Sequence, residues 1–520
     1  MKFSKIASFA LFLVLFLVLI RNFQYLYVAP IQNAYWWSSD ETWLMSEYHS
    51  FLTTAHYINP TAPGSAYAQA TGVLFGSCYL TALLYGLPAL ILKFPIIDIG
   101  RTVTFSIGLF TLFTLWFFAK RYRAPTWLAL FGCVLLASTL CFFVMSHTVR
   151  YDLLVGFAVL VFVALLPLVR EQRSGLSIAF GLTLPFCLLL NGHLLIYLTL
   201  ALAYFAFLTK PRWNIFIGSM IAGFVALFGI QFLLLHSTSF FGPLQKSGIS
   251  KIPLQTIFHP KSDYWNLYWR IFIANMWARN ILFLVVAILV VLTILRFRYK
   301  INIVHWATLA EKRLAIGAAL VLFASLFLED VLTPRYFIHV LPTIVFLLTI
   351  VLWVMYRIPS RKFLIVPVVI IIAVFSVWDY VSATDTMGSV GETISRENEH
   401  VMRSALAVIH TRSNNKVPRV FCTVAGQAIA MDDDSIVLFT TVMYNQPAAK
   451  VPDSTIWNRA KIDYAIKYSG NYKEVNSYID TTSHPNIIFE RTGHFADFAR
   501  SYDAAGLMQI DTLRVYEFRR

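Results

Sequence analysis

The side chains best suited to chemistry in this sequence are a few ionisable groups set at the edges of long apolar runs. Asp40-Glu41 lies between Tyr35-Trp36-Trp37 and Trp43. Two adjacent carboxylates against aromatic rings are partly desolvated and repel one another, which raises the basicity of one and suits it to accept a proton. Rings suit the faces of sugars, but they suit a membrane interface equally, so an aromatic belt with incidental acids accounts for the same residues. Arg150-x-Asp152 offers a cation for phosphate beside a carboxylate that can orient a polar group, or simply a local ion pair. His193, in Asn191-Gly192-His193, interrupts an apolar run and reads either as a site residue or as the hairpin between two spans. Arg335 follows Pro334, with Glu329-Asp330 upstream as counter-ions; a guanidinium there fits a phosphate headgroup or serves as an interface anchor. Lys246, Lys251, Lys261, Arg270 and Arg279 are scattered and read as headgroup contacts, and Asp432-Asp433-Asp434 as a solvated acidic turn.

The elements that must position these groups are membrane helices. Only 13% of the 520 residues are charged and 58% are hydrophobic, at a mean hydropathy of +0.65, whereas a soluble globular chain carries about 25% charged residues. The net charge of +15 points first to nucleic acid. Its distribution argues otherwise: residues 1–380 hold 27 Lys and Arg against 11 Asp and Glu, and residues 381–520 hold 15 against 16. The excess is confined to the apolar part and reads as a topology signal, with no nucleic-acid partner. Four of the five cysteines, Cys78, Cys133, Cys141 and Cys187, lie in apolar runs and Cys422 stands alone, so neither a disulfide framework nor a CxxC metal site is expected. Asn59-Pro60-Thr61 is the sole Asn-x-Thr/Ser and its proline disables it, which favours a bacterial inner membrane. The first apolar run lacks a small-x-small cleavage site and is read as a retained span.

Runs long enough to cross, roughly 17–25 residues or somewhat fewer where a helix is broken, fall at about 6–28, 73–92, 102–119, 126–146, 153–169, 176–190, 194–209, 214–235, 277–295, 314–328, 336–355 and 363–380. Basic clusters at 120–123, 170–173, 210–212, 296–313 and 357–362 occupy alternate loops. They share a side with Lys2 and Lys5 only if one of the first three runs does not cross. The run at 73–92, interrupted by Gly76, Gly86 and Pro88, is the weakest and is read as a juxtamembrane helix, leaving eleven crossings. On that count 17 of the 27 basic residues are cytoplasmic, and 9 of the 11 acids, all but Glu171 and Glu311, face outward. The outer face then gathers a first loop, 29–101, with Asp40-Glu41, together with the segments carrying Arg150, Asp152, His193 and Arg335. Residues 381–520 are of ordinary composition and long enough for one small soluble domain. Short strands are expected at 419–424, 435–439, 462–468 and 513–518, with a helix at 389–411, hence an α/β domain on the outer side.

This layout resembles the C-type (GT-C) superfamily of integral-membrane glycosyltransferases that use polyprenyl-phosphate-linked sugars, among them the protein O-mannosyltransferases and the aminoarabinose transferases of the cell envelope. The resemblance covers roughly residues 6–355. It rests on Asp40-Glu41 in the first outer loop, Arg150-x-Asp152 at the outer end of the third crossing, His193 after the fifth, and Arg335-Tyr336 followed by Pro342. In place of the family's Pro-Pro-Leu-like run stands Asn59-Pro60-Thr61-Ala62-Pro63-Gly64, so no substrate is carried across. The resemblance implies a helical polytopic membrane domain with juxtamembrane helices and an outward-opening site. It implies inverting sugar transfer from a polyprenyl phosphate to a lipid, glycan or protein acceptor, with Asp40 as base, Glu41 and Asp152 assisting, and Arg150, Arg335 and His193 at the donor phosphate. Metal-free catalysis is expected, with a divalent cation as the alternative.

A lipid or sugar transporter or flippase is the main rival. Such a protein would carry charges in mid-span and discontinuous helices in both leaflets, whereas nearly every ionisable residue here lies at a span end. A ligase with a large late outer loop, and a purely structural membrane protein, are less consistent with acids clustered in the first loop.

Overall fold

The computed structural model describes residues 2–27, 45, 79–92, 96–149, 151–168, 177–179, 181–183, 185, 192–209, 212–235, 278–325, 337–359, 362–414, 416–422, 435–440, 462–468, 486–495 and 509–518. Its helices are α1 (Lys2–Tyr27), α2 (Tyr79–Ile91), α3 (Ile96–Arg121), α4 (Thr126–Ala137), α5 (Leu140–Ser146), α6 (Asp152–Leu165), α7 (Gly192–Thr209), α8 (Trp213–Leu235), α9 (Arg279–Phe297), α10 (Leu309–Ser325), α11 (Leu341–Tyr356) and α12 (Lys362–Arg412). Short 3-10 turns lie at Leu166–Leu168 and Ile303–His305.

The chain is an integral membrane protein, predominantly helical with one small sheet. Among the described residues, four helical segments (Ser4–Leu26, Asp98–Arg121, Arg279–Phe297 and Lys362–Asp385) are long and apolar enough to cross a bilayer, or five if the bent pair α4–α5 counts as one. Phe9, Phe12 and Phe16 on α1, Phe110 and Phe113 on α3, and Ile370, Ile371 and Val374 on α12 are exposed. Such rows of bare apolar side chains would be costly in water and are at home against acyl chains. The opposite faces pack inward around α4, where every residue from Trp127 to Ala137 is buried.

The run 126–146, expected as one span, is two helices meeting at 71°. The break falls at Ser138-Thr139, whose hydroxyls replace the interrupted backbone ladder. Ser138 donates to the Leu135 carbonyl (3.3 Å), Thr139 donates to the Leu136 carbonyl (2.7 Å), and the Thr139 Oγ1 accepts from the Phe142 amide (3.4 Å). Asn280 of α9 also donates to the Leu135 carbonyl (3.3 Å). A break inside the bilayer is tolerated only when its freed backbone groups are satisfied in this way. The described part of helix α2 has 13 residues, about 20 Å at 1.5 Å per residue. It packs on α3, where Tyr85 and Thr104 share a hydrogen bond of 3.1 Å, while Leu83, Leu84, Leu87 and Leu90 stay exposed.

The helix α12 runs unbroken for 51 residues through position 380, joining the expected last span and the expected tail helix. Its apolar face changes partner along its length. Ile365, Val369, Ile372 and Tyr380 belong to the membrane core, whereas Val401, Met402, Ala405, Leu406 and Ile409 belong to a second core with Val420, Cys422, Ile466, Leu513 and Val515. That second core lies on a five-stranded sheet of order β2-β1-β3-β5-β4, formed by β1 (Arg419–Cys422), β2 (Val437–Thr440), β3 (Tyr464–Tyr468), β4 (Asn486–Phe495) and β5 (Gln509–Glu517). The strand β1 pairs in parallel with β2 and β3, and β5 pairs antiparallel with β3 and β4. Sequence reading did not anticipate β4, whose Asn486, Gly493 and His494 dilute its apolar alternation.

Candidate functional site

The bundle has two chemically distinct ends. At one, the turn that follows α3 meets the last turn of α6 through a hydrogen bond donated by Tyr122 to the Ala164 carbonyl (3.1 Å). The same end holds Lys120, which donates to Thr126 Oγ1 (3.1 Å), and the buried Glu311, which accepts from Arg357 (2.5 Å) and from the Thr308 amide (2.7 Å). Lys362 lies over the Tyr356 ring and Arg357 over Trp353. Basic anchors dominate here.

The other end is a buried polar layer. Asn22 of α1 accepts through its side chain from the Tyr380 hydroxyl (2.7 Å) and through its carbonyl from His147 Nε2 (2.7 Å). Arg21 pairs with Asp385 and donates to Thr384 (2.9 Å), and Arg279 pairs with Asp379. These contacts fasten α1, α9 and α12 to the segment between α5 and α6. Arg101, at the start of α3, is only 3% exposed and is a buried cation of the same layer.

Within this layer Asp152, at the start of α6, is fully buried, and its Oδ1 lies 2.8 Å from His339 Nε2. The other ring nitrogen of His339 lies 3.0 Å from the Tyr197 hydroxyl of α7. A neutral imidazole satisfies both contacts, donating from Nε2–H to the carboxylate and accepting the tyrosine proton at Nδ1. The Tyr197 and His339 rings also meet edge to face at 5.4 Å between centroids. All three side chains are shielded from solvent. The approach of the His339 segment to α6 depends on Gly156: a Cβ there would lie 2.4 Å from the Ile338 carbonyl oxygen.

Of the residues singled out from sequence, Asp152 is placed in this layer. His193 lies in the first turn of α7, and its side chain is outside the described residues, as are Asp40, Glu41, Arg150 and Arg335. The members of the described network stand close in sequence to three of them. Arg150 is two positions before Asp152, His193 four before Tyr197, and Arg335 four before His339. Met45, four positions after Glu41, is buried, and a Cβ at Gly100 would meet its Sδ and the Val149 side chain at 2.8 Å. Sequence reading missed Tyr197, His339 and His147 as members of the layer. The available signal was their polarity beside a span, which does not say who pairs with whom. Among the described residues no group of three or more His, Cys, Asp or Glu side chains is arranged to hold a metal ion.

No protein-family model matches the sequence, and no curated protein matches it. Solved structures do share the fold. Crystal structures of ArnT from Cupriavidus metallidurans superpose on 91% of this chain and 93% of their own. The apo state gives a TM-score of 0.53 at 12% identity, and the state bound to undecaprenyl phosphate 0.54 at 11%. Over nine-tenths of its length, therefore, this chain has the fold of those ArnT structures.

Proposed function

We propose that this protein is a membrane glycosyltransferase that moves a sugar from a polyprenyl phosphate to an acceptor on the outer face of the bilayer. The single observation carrying this reading is the buried polar layer at one end of the bundle, in a fold shared with a protein crystallised with undecaprenyl phosphate. The crowding of basic anchors at the opposite end supports an outward orientation of the layer under the positive-inside rule. The proposal includes eleven crossings, a membrane domain to about residue 380, an outer C-terminal α/β domain and a bacterial inner-membrane location.

In the proposed reaction the acceptor oxygen or nitrogen attacks the anomeric carbon while Asp40 takes its proton, and the bond from that carbon to the phosphate oxygen breaks. Glu41 holds the acceptor or raises the basicity of Asp40 by its like charge. The departing polyprenyl phosphate keeps the electron pair, and Arg335, Arg150 and His193 receive its negative charge, an interaction of several kcal/mol where water is excluded. The lipid chain lies against apolar helix faces. No metal is required in this scheme, since guanidinium groups can do the work of a cation.

Asp40→Asn tests the assignment. A base of this kind contributes about 10²–10⁴-fold, so turnover is expected to fall by that factor while membrane insertion and thermal stability stay unchanged. Undiminished product formation removes Asp40 from the mechanism.

A further inference from the structure

Each member of the Asp152–His339–Tyr197 chain stands close in sequence to one residue of the phosphate-binding set proposed above. We propose that Tyr197 and His339, acting through Asp152, are positioning residues that hold the segments bearing Arg150, His193 and Arg335 in one fixed arrangement. This rests on the reading of those three residues as the donor-phosphate site.

Three features point to positioning in preference to contact with substrate or simple stabilisation. First, all three side chains are fully buried, which suits groups that support the residues around the donor better than groups that meet it from solvent. Second, a buried polar trio is a weak source of stability, because replacing such groups by apolar ones of similar volume is often neutral or better. What directional hydrogen bonds add is a defined geometry. Third, the bonds link three elements from distant parts of the sequence, with Asp152 and His339 separated by 187 positions and Tyr197 and His339 by 142. Gly156 lets the Ile338 carbonyl come close beside them, leaving the junction of α6 and α11 little room to slide. Arginine recognition of phosphate depends on such placement, since a shift near 1 Å in a positioned group can cost about 10²-fold in rate.

The test measures binding of undecaprenyl phosphate to the full-length protein in nanodiscs, alongside thermal stability. Tyr197→Phe deletes one hydroxyl and keeps the ring. Tyr122→Phe is its control, deleting another buried hydroxyl, bonded to the Ala164 carbonyl at the opposite end. Both are expected to lose similar stability, but only Tyr197→Phe should weaken binding, by about tenfold, the equivalent of ~1.4 kcal/mol. His339→Gln, which can still donate to Asp152, is expected to bind better than His339→Ala. Arg335→Ala separates the two layers of the proposal. If it leaves binding unchanged, the phosphate reading fails and the positioning role with it. If it weakens binding while Tyr197→Phe behaves like Tyr122→Phe, the positioning role alone is overturned.

Discussion

Gly156→Ala is the sharpest single probe of how α6 and the His339 segment meet. The new Cβ would sit 2.4 Å from the Ile338 carbonyl oxygen, where ordinary contact begins at 3.4 Å. The obstacle is backbone, which cannot rotate aside, so the segment must retreat by about 1 Å. His339 is the next residue, and moving it that far would stretch its 2.8 Å contact with Asp152 to about 3.8 Å, beyond hydrogen-bond reach. Overpacking costs about 1–3 kcal/mol, and loss of a buried bond to a charged group about 1.5–3 kcal/mol. Together they give a destabilisation of about 2.5–6 kcal/mol, or a drop of roughly 5–12 °C in Tm at ~2 °C per kcal/mol for a large chain. Thermal unfolding of the detergent-purified protein reads this directly. Gly218→Ala on α8 is the reference, because nothing lies within 4 Å of its added Cβ. Helix propensity should leave it neutral or stabilised by up to about 1 kcal/mol. If Gly156→Ala is as harmless as Gly218→Ala, the close approach of α6 to Ile338 is wrong and the argument for a fixed junction fails.

Three further outcomes are expected. A membrane-impermeant maleimide should label His400→Cys, exposed on the tail part of α12, from outside, and Arg121→Cys, exposed at the basic end, only after permeabilisation; labelling of both from one side refutes the orientation. Tyr122, although it lies in the same basic loop, is buried and hydrogen-bonded, and would be a poor labelling site. Burial pushes the Cys422 thiol up to about 12 from 9.0. Below pH 9 the thiol is protonated in both the folded and the unfolded tail, and between pH 9 and 12 the unfolded form alone ionises. Stability of the sheet should therefore fall across that window, and alkylation of Cys422 at pH 8 should require unfolding; rapid modification of the native protein, read by mass spectrometry, contradicts the burial. Sugar transfer should be insensitive to EDTA, and loss of activity restored by a divalent cation would replace the guanidinium scheme with a metal-assisted one.

What the sequence made legible follows from what physics forces into a local pattern. The apolar runs behind α1, α3, α9 and the first half of α12 were readable because a bilayer demands a long stretch of apolar side chains. Four of the five strands were readable from β-branched and aromatic alternation, with ends shifted by a few residues. The break between α4 and α5 was not, because two small hydroxyl residues scarcely dent the hydropathy of 126–146, although their side-chain bonds end one helix and begin another. The continuity of α12 was hidden because its exposed face turns from apolar to polar near position 380 while its backbone does not change. Asp152 was readable as a polar residue at a span end, but its partners were not. Nothing local in one sequence says that His339 and Tyr197 meet it, since the chain closes that network across more than a hundred residues.

In the proposed site the first-loop acids and the outer-end cations face one lipid phosphate beside the buried polar layer. An experimental structure of the protein loaded with undecaprenyl phosphate tests it most directly. The phosphate is expected within hydrogen-bond distance of Arg335 or Arg150, with Asp40 across from it at the same end as Asp152. A phosphate bound at the end that holds Glu311 and Arg357, or an Asp40 on the far side of the bundle from Asp152, would contradict it.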